Sequence, residues 1–215
     1  MDLSMISIPI LGELEDNKLP LPEDYNYWKS RNDRTFFIDY EIGEDYPDGS
    51  CDNSLLELCK VIIQMNMDEK DIPKEELKPI YIYIHSYGGD LQQSLTMCDI
   101  CLSSRIPIVT VAMGAAMSGA FLILLAGHRR YAFKHSQMLV HSGSAGFTGT
   151  AEQIEEAQRN YKKQLTEIKD YILKRTTIDE KVFGRNKAKD WYLKPDEIIQ
   201  YNIVDKIINS FEEIV

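Results

Sequence analysis

Apolar residues in this chain fall into two patterns, short β-rich runs and longer stripes with a helical period. The β-rich runs predict strands at Arg34–Tyr40, Ile80–Ile84, Ile108–Met113, Arg129–Phe133, Gln137–Val140 and Ile203–Ile208. The helical stripes and one continuous apolar run predict helices at Ser54–Met67, Asp90–Leu102, Gly119–Ala126, Thr150–Thr176 and Pro195–Tyr201. The stripe of the second of these helices is formed by Leu91, Leu95, Cys98 and Leu102. The segment Ile80–Ile84 has the composition of a strand buried on both faces of a parallel sheet.

The stretch from Thr110 to His141 organises the rest of the chain. It opens as a strand, turns through small residues from Gly114 to Gly119, continues as an apolar helix and returns through a second strand to His141. Ser118 therefore lies at a tight strand-to-helix turn, where a hydroxyl is exposed and the helix N-terminus favours developing negative charge. This arrangement is the one that a serine hydrolase needs.

A pair of glycines follows the buried strand Ile80–Ile84. Gly88 and Gly89 precede a helix that starts at Asp90, where Asp90 and Gln93 have the spacing of a capping box. Unhindered backbone N–H groups at such a turn can form an oxyanion hole. An ordinary turn is the alternative interpretation.

His141 ends an apolar strand, a position that often holds a core histidine and that can also hold a catalytic base. The glycine-rich strip that follows it, Ser142–Gly149, could lie alongside an extended peptide and favours the second interpretation. Asp190 stands between a lysine and two aromatic residues, and by itself it has the pattern of a surface acid. The long helix at Thr150–Thr176 has an apolar stripe that must contact either its own chain or another subunit. The stripe is formed by Ile154, Ala157, Tyr161, Leu165, Ile168 and Ile172.

Composition restricts the function further. The chain has 215 residues, a net charge of -10 and no long basic run, which argues against nucleic acid as a partner. The longest apolar run is too short to cross a membrane and the N-terminus lacks the cationic start of a signal peptide, so we expect a cytoplasmic protein without a membrane partner. The four cysteines fit a reducing compartment. Cys98 and Cys101 have C-x-x-C spacing but lie late in a helix, away from the turn that a redox motif requires.

One folded domain preceded by an N-terminal arm is expected. Residues 1–33 are polar, acidic and interrupted by prolines, which predicts an arm, and residues 34–215 form the folded domain.

From about Arg34 onward, these motifs together resemble the proteolytic subunit of the ATP-dependent Clp protease. The family's Asn-Ser-Pro-Gly-Gly turn is similar to the segment from His85 to Gly89, and its nucleophile turn is similar to the segment from Thr110 to Ser118. Its Met-Ile-His strand end, the entry of its long helix and its Arg-Asp-x-Phe segment are similar, in that order, to Leu139–His141, Gly149–Ile154 and Lys189–Leu193.

The resemblance implies an α/β fold with a crotonase-like β-α spiral, as in the Clp protease fold, and a long handle helix. It implies a serine endopeptidase that cleaves unfolded protein or peptide inside a homo-heptamer or tetradecamer, with an AAA+ unfoldase as a candidate partner and with neither metal nor cofactor. The implied catalytic residues are Ser118, His141 and Asp190. The implied oxyanion hole is formed by Gly88 and Gly119, and the implied substrate-binding residues are Gly89, Ser142 and Gly143.

Several departures from the family pattern leave alternatives open. The family has one more residue between its nucleophile and its Gly-Ala-Phe-Leu segment, so that an alignment on the helix puts Met117 at the nucleophile position. We favour Ser118 because the strand side matches without a gap. Tyr87 replaces a proline, and Ala188 with Lys189 replaces a charged pair used between rings. An inactive structural ring subunit and a crotonase-type acyl-CoA enzyme are the two alternative functions.

Overall fold

The computed structural model describes residues 28–46, 51–186 and 189–214. The chain divides into two compact units, Met1–Asp33 and Arg34–Val215. The arm predicted at residues 1–33 falls almost wholly outside the described residues, as does the ring-contact position Ala188, and both interpretations stay predictions. All elements below belong to the second unit.

A seven-stranded sheet forms the centre of this unit. Its strands are β1 (Thr35–Ile38), β2 (Ile80–Ser86), β3 (Ile108–Met117), β4 (Arg129–Phe133), β5 (Gln137–Val140), β6 (Trp191–Leu193) and β7 (Lys206–Ile208). The main path is β1-β2-β3-β4-β7, all parallel, and β5 pairs with β3 while β6 pairs antiparallel with β5. This topology confirms the predicted α/β class.

The long central strand β3 has two successive neighbours on one edge. Its first half, Val109–Ala112, pairs with β4, and its last residues, Ala115–Met117, pair with β5. The side chain of Ser136 lies where one neighbour gives way to the other and donates a hydrogen bond to the carbonyl of Ala112 at 2.7 Å. Strand β5 thereby extends beyond the end of β4. The residues that follow β5 in the chain are therefore placed at the C-terminal end of β3.

Six α-helices surround the sheet in the described part of the second unit. They are α1 (Ser54–Asp68), α2 (Leu91–Ser103), α3 (Gly119–Ala126), α4 (Ala151–Arg175), α5 (Glu180–Asn186) and α6 (Pro195–Gln200). Every residue of α3 is buried, as expected for a helix that is apolar on all sides. None of the described helices combines the length and apolar character needed to cross a membrane.

The long helix α4 is fixed at its C-terminal end. Arg175 donates two hydrogen bonds of 2.8 Å to the carbonyls of Leu125 and Gly127, which end α3. Carbonyls at the C-terminal end of a helix accept no hydrogen bond from within that helix. A positively charged guanidinium at this end is also favoured by the helix dipole. Ile172 is the buried residue of α4, so the greater part of this helix stands away from the core.

Several sequence predictions of the fold were wrong in whole or in part. Strand β3 continues through Gly114 up to Met117, so the turn is confined to Ser118. The predicted stripe of α2 is buried only at Cys98, while Leu91 and Leu95 pack partly buried against the core and Leu102 is exposed. Ser94, Met97 and Cys101 complete the buried face, because small and sulfur-containing side chains let α1 and α3 approach closely. Asp90 accepts a hydrogen bond from the Gln93 N–H as predicted, but the Gln93 side chain donates to the Asp52 carbonyl, so the capping box is not reciprocal. Helix α5 was not predicted.

The outer face of β2 is also less buried than predicted. Its residues alternate between fully and partly buried positions, and Tyr81 and Tyr83 occupy the partly buried face.

The cysteines are structural. All four are free thiols, and Cys59, Cys98 and Cys101 are buried. Burial raises the pKa of the Cys59 thiol to about 11 and that of Cys98 to about 12. These thiols stay protonated and unreactive at neutral pH.

Candidate active site

The pairing register of three strands brings three side chains to one end of the sheet. Met117 of β3 is opposite Leu139 of β5, and Val140 of β5 is opposite Trp191 of β6. The next residue along β3 is Ser118 and the next along β5 is His141. Because β6 runs antiparallel, the residue that precedes Trp191 is Asp190, which is brought beside His141.

Ser118 occupies a strained backbone conformation between β3 and α3. Its φ of 53° and ψ of -121° are rarely adopted by residues other than glycine. The Ser118 N–H donates to the Leu139 carbonyl at 3.0 Å, and the Ser118 carbonyl accepts from the Phe121 and Leu122 N–H groups. The side chain makes no capping hydrogen bond to α3, which leaves the hydroxyl available to another partner.

That partner is His141. The distance between Ser118 Oγ and His141 Nε2 is 2.7 Å, which is a hydrogen bond of ordinary length. Met117 is buried in a small apolar cluster with Ala115 and Leu139. Ser118 and not Met117 therefore faces the histidine.

Asp190 lies on the opposite side of the imidazole. Its Oδ1 is 3.6 Å from His141 Nδ1, and its side chain is 66% exposed, compared with 27% for that of His141. The separation is longer than a good hydrogen bond, so the pair is in contact but not closely fitted. A proton on Nδ1 would point to Asp190 and leave Nε2 as the acceptor of the serine proton.

The predicted oxyanion glycines lie against the nucleophile turn. A side chain at Gly88, whose φ is +100°, would lie within 2.8 Å of Ser118 Cβ and 2.9 Å of the Gly119 nitrogen. The Gly119 N–H begins α3 and has no acceptor within that helix. The Gly88 N–H donates to Ser86 Oγ at 3.1 Å, so a substrate oxygen would have to share this donor or replace the serine.

His85 supports the same turn and was not identified from the sequence. Between Ile84 and Ser86 the register with β3 shifts, and β3 carries extra residues around Gly114. His85 Nδ1 fills this irregularity and accepts a hydrogen bond from the Ala115 N–H at 3.2 Å. A glycine three residues before Met117 is the signal that could have indicated a close neighbour there.

A cavity of about 490 Å³ opens beside the Ser118–His141 pair. The three predicted substrate-binding residues, Gly89, Ser142 and Gly143, all line it. Its walls also include Gln164 and six side chains that the sequence had assigned only to apolar helix faces: Leu91, Phe121, Leu122, Tyr161, Ile168 and Ile172. The residues of α4 in this wall could have been recognised because their stripe faces the glycine-rich strip that precedes the helix.

An α/β sheet with a serine, a histidine and an aspartate at one end is typical of a serine hydrolase. A model of the Clp protease family matches residues 58–211. Similar proteins include the ATP-dependent Clp protease proteolytic subunit 2 of Treponema denticola, 33% identical and covering 64% of this chain and 70% of the relative. The ATP-dependent Clp protease proteolytic subunit of Deinococcus radiodurans is 26% identical, covering 71% of this chain and 74% of the relative. Proteolytic subunit 2 of Treponema pallidum is 27% identical over 62% of this chain and 68% of the relative.

The chain therefore belongs to the Clp protease family. The resemblance found in its motifs is confirmed, and so is the Clp protease fold that it implied.

Proposed function

We propose that this protein is a serine endopeptidase subunit that cleaves unfolded polypeptides with Ser118, His141 and Asp190. The observation that carries the proposal is the 2.7 Å distance between Ser118 Oγ and His141 Nε2 at a strained strand-to-helix turn. Membership of the Clp protease family supports it independently.

The chemistry follows from the positions of the three side chains. Ser118 Oγ attacks the scissile carbonyl while His141 Nε2 accepts its proton, and His141 then donates that proton to the leaving amine. Asp190 holds the imidazole in the tautomer with the proton on Nδ1. Water attacks the acyl-enzyme in the second half of the reaction, again with His141 as the base.

The developing oxyanion would be held by backbone N–H groups. Gly119 supplies the donor at the start of α3, and Gly88 supplies the second when the substrate oxygen competes with Ser86 Oγ. An extended substrate would lie between Gly89 and the strip that begins at Ser142 and Gly143, with one side chain in the cavity walled by α3 and α4. The apolar walls favour a large apolar side chain there.

The assembly proposed with this activity is a homo-heptamer, single or stacked as a tetradecamer. Helix α4 supports this assembly because most of its apolar stripe is only half-buried in one subunit. An AAA+ unfoldase is the proposed partner that would supply unfolded chains. The cytoplasmic location expected from the sequence stays a prediction.

Hydrolysis of a fluorogenic peptide with a large apolar residue before the scissile bond tests the proposal. The purified protein should release the fluorophore, and Ser118→Ala should abolish release while the far-ultraviolet circular dichroism stays unchanged. Equal rates for the wild type and Ser118→Ala would contradict the proposal.

An inactive structural ring subunit is the second candidate. Two observations favour it. His141 Nδ1 lies 3.6 Å from the carboxylate of the largely exposed Asp190, and the Gly88 N–H already donates to Ser86 Oγ. This candidate predicts ring assembly with no peptide hydrolysis. A crotonase-type acyl-CoA enzyme has no use for a serine hydrogen-bonded to a histidine, and we do not propose it.

A further inference from the structure

The long helix α4 makes a direct hydrogen bond to the strip that follows the candidate base. Tyr161 Oη donates to the carbonyl of Ser142 at 2.7 Å. The ring of Tyr161 also contacts the ring of Phe147 edge-on, with centroids 6.0 Å apart. Tyr161 thus holds the strip at two points, one directly after His141 and one further along.

This hydrogen bond determines the orientation of one peptide group. In a planar trans peptide the carbonyl of one residue and the N–H of the next point in opposite directions. With the Ser142 carbonyl directed at Tyr161, the Gly143 N–H points away from α4. Both residues and Tyr161 line the cavity that contains Ser118.

The backbone at position 143 favours glycine in this arrangement. Its φ is +73°, and an added Cβ would lie 3.3 Å from Tyr161 Oη. The tyrosine hydroxyl and the left-handed backbone therefore fix the same peptide group from two sides.

We propose that Tyr161 is a positioning residue for the reaction, which orients the Ser142–Gly143 peptide group so that the Gly143 N–H can bind the substrate backbone. The inference rests on the proposed peptidase function and extends it, because it links substrate binding to the handle helix. It touches neither the Ser118–His141 pair nor the proposed oxyanion donors. The expected defect on losing the hydroxyl is in substrate binding rather than in the chemical step.

Tyr161→Phe removes the hydroxyl and keeps the ring against Phe147. A neutral hydrogen bond of this kind corresponds to about a fivefold change in an equilibrium. We expect KM for the fluorogenic peptide to rise about fivefold, with kcat within about twofold of the wild type.

Tyr171→Phe is the matched control, because Tyr171 is on the same helix and its hydroxyl donates to the Leu122 carbonyl at 3.0 Å. That bond fixes α4 to α3 and does not reach the strip. The control should lower thermal stability and leave KM unchanged. An unchanged KM in Tyr161→Phe, or an equal rise in both variants, would overturn the inference.

Hydrogen exchange separates this inference from the proposed activity. In Tyr161→Phe, peptides covering residues 142–149 should exchange about fivefold faster than in the wild type, whereas in Tyr171→Phe they should not. If the wild type hydrolyses no peptide, the proposed function fails and this measurement still decides whether Tyr161 holds the strip. Unchanged exchange in Tyr161→Phe would overturn the inference on its own.

Discussion

Ser118 combines an unfavourable backbone with a well-fixed environment. Its left-handed conformation costs about 1–3 kcal/mol. Three backbone hydrogen bonds offset this cost: the Ser118 N–H donates to the Leu139 carbonyl, and the Ser118 carbonyl accepts from two N–H groups of α3. The strain exposes the hydroxyl at the tip of β3, where His141 can reach it.

Of the three candidate catalytic side chains, Asp190 makes the weakest contact, at 3.6 Å from His141 Nδ1. Asp190→Asn should leave the fold intact, because this side chain is 66% exposed. Peptidase turnover should fall by about 10²- to 10⁴-fold, the upper figure being that for the equivalent change in a well-fitted triad. Steady-state hydrolysis measures this. Asp170→Asn is the control at a similarly exposed aspartate of α4, and it should keep full turnover. Wild-type turnover in Asp190→Asn would return this residue to an ordinary surface role.

His128 gives the fold a dependence on pH. Its Nδ1 accepts a hydrogen bond from the Ile108 N–H at 2.9 Å, so the neutral ring is the one that fits. Partial burial and then the nearby Arg175 hold the pKa of His128 below its ordinary value of 6.5. The stabilisation is therefore complete above pH 6.5, the value for the unfolded chain, and is lost as the pH falls toward the folded-state pKa.

His128→Asn tests this dependence, since the asparagine oxygen can replace Nδ1 as an acceptor and does not titrate. Thermal unfolding at pH 7.5 and pH 5.5 should show a larger loss of stability on acidification for the wild type than for the variant. The same loss in both proteins would rule out His128 as the cause.

At the scale of the elements, the irregular pairing of β2 with β3 is what lets β3 reach the site. Gly114 makes room for the His85 ring, since an added Cβ would lie only 1.9 Å from His85 Nδ1. That nitrogen is also the acceptor for the Ala115 N–H.

Gly114→Ala should therefore displace the ring and leave the Ala115 N–H without its partner. The expected loss is about 1–3 kcal/mol in the free energy of unfolding, measured by denaturant titration. Gly184→Ala, in α5 with nothing within 4 Å of the added Cβ, is the control and should be neutral or stabilising. The loss should shrink when His85 is also changed to serine. Equal stability of Gly114→Ala and the wild type would contradict the proposed role of His85.

Periodicity predicted most elements because their apolar patterns are long and regular. Helix α4 was predicted at Thr150–Thr176 and observed at Ala151–Arg175, with Thr150 and Gln153 forming a reciprocal capping box. The extension of β3 was missed because the small residues after Met113 have no strand pattern of their own, and they extend only because β5 pairs with them. Pairing of this kind is a property of the tertiary fold.

In the candidate site, too, local sequence patterns predicted some residues, whereas others depend on the tertiary fold. Ser118 and His141 could be assigned from local patterns, since each ends an apolar element. Asp190 had the pattern of a surface acid and gained its role only from the family resemblance, while the antiparallel β6 that brings it to His141 was not predicted. Tyr161 was assigned to a packing stripe, and its hydroxyl contact depends on how the strip folds back along the helix.

For the whole molecule, the half-buried apolar stripe of α4 is the feature that most needs a partner. Ile172 is the buried residue of this 25-residue helix. Burial of the remaining stripe between subunits would stabilise an oligomer through the hydrophobic effect.

Light scattering coupled to size-exclusion chromatography should give the mass of a heptamer or of a stack of two heptamers at micromolar concentration. Stacking of the two heptamers should be weak, because Ala188 carries no charge with which to make a contact between rings. A stable monomer at this concentration would contradict the proposed assembly, and a salt-resistant tetradecamer would contradict the weak stacking.

The central claim is that His141 activates Ser118 as a nucleophile, and reaction with a serine-directed fluorophosphonate tests it most directly. We expect one adduct per chain, located by mass spectrometry on the peptide that contains Ser118, and its loss in both Ser118→Ala and His141→Ala. Absence of an adduct on the folded wild-type protein, or equal labelling after His141→Ala, would contradict the claim.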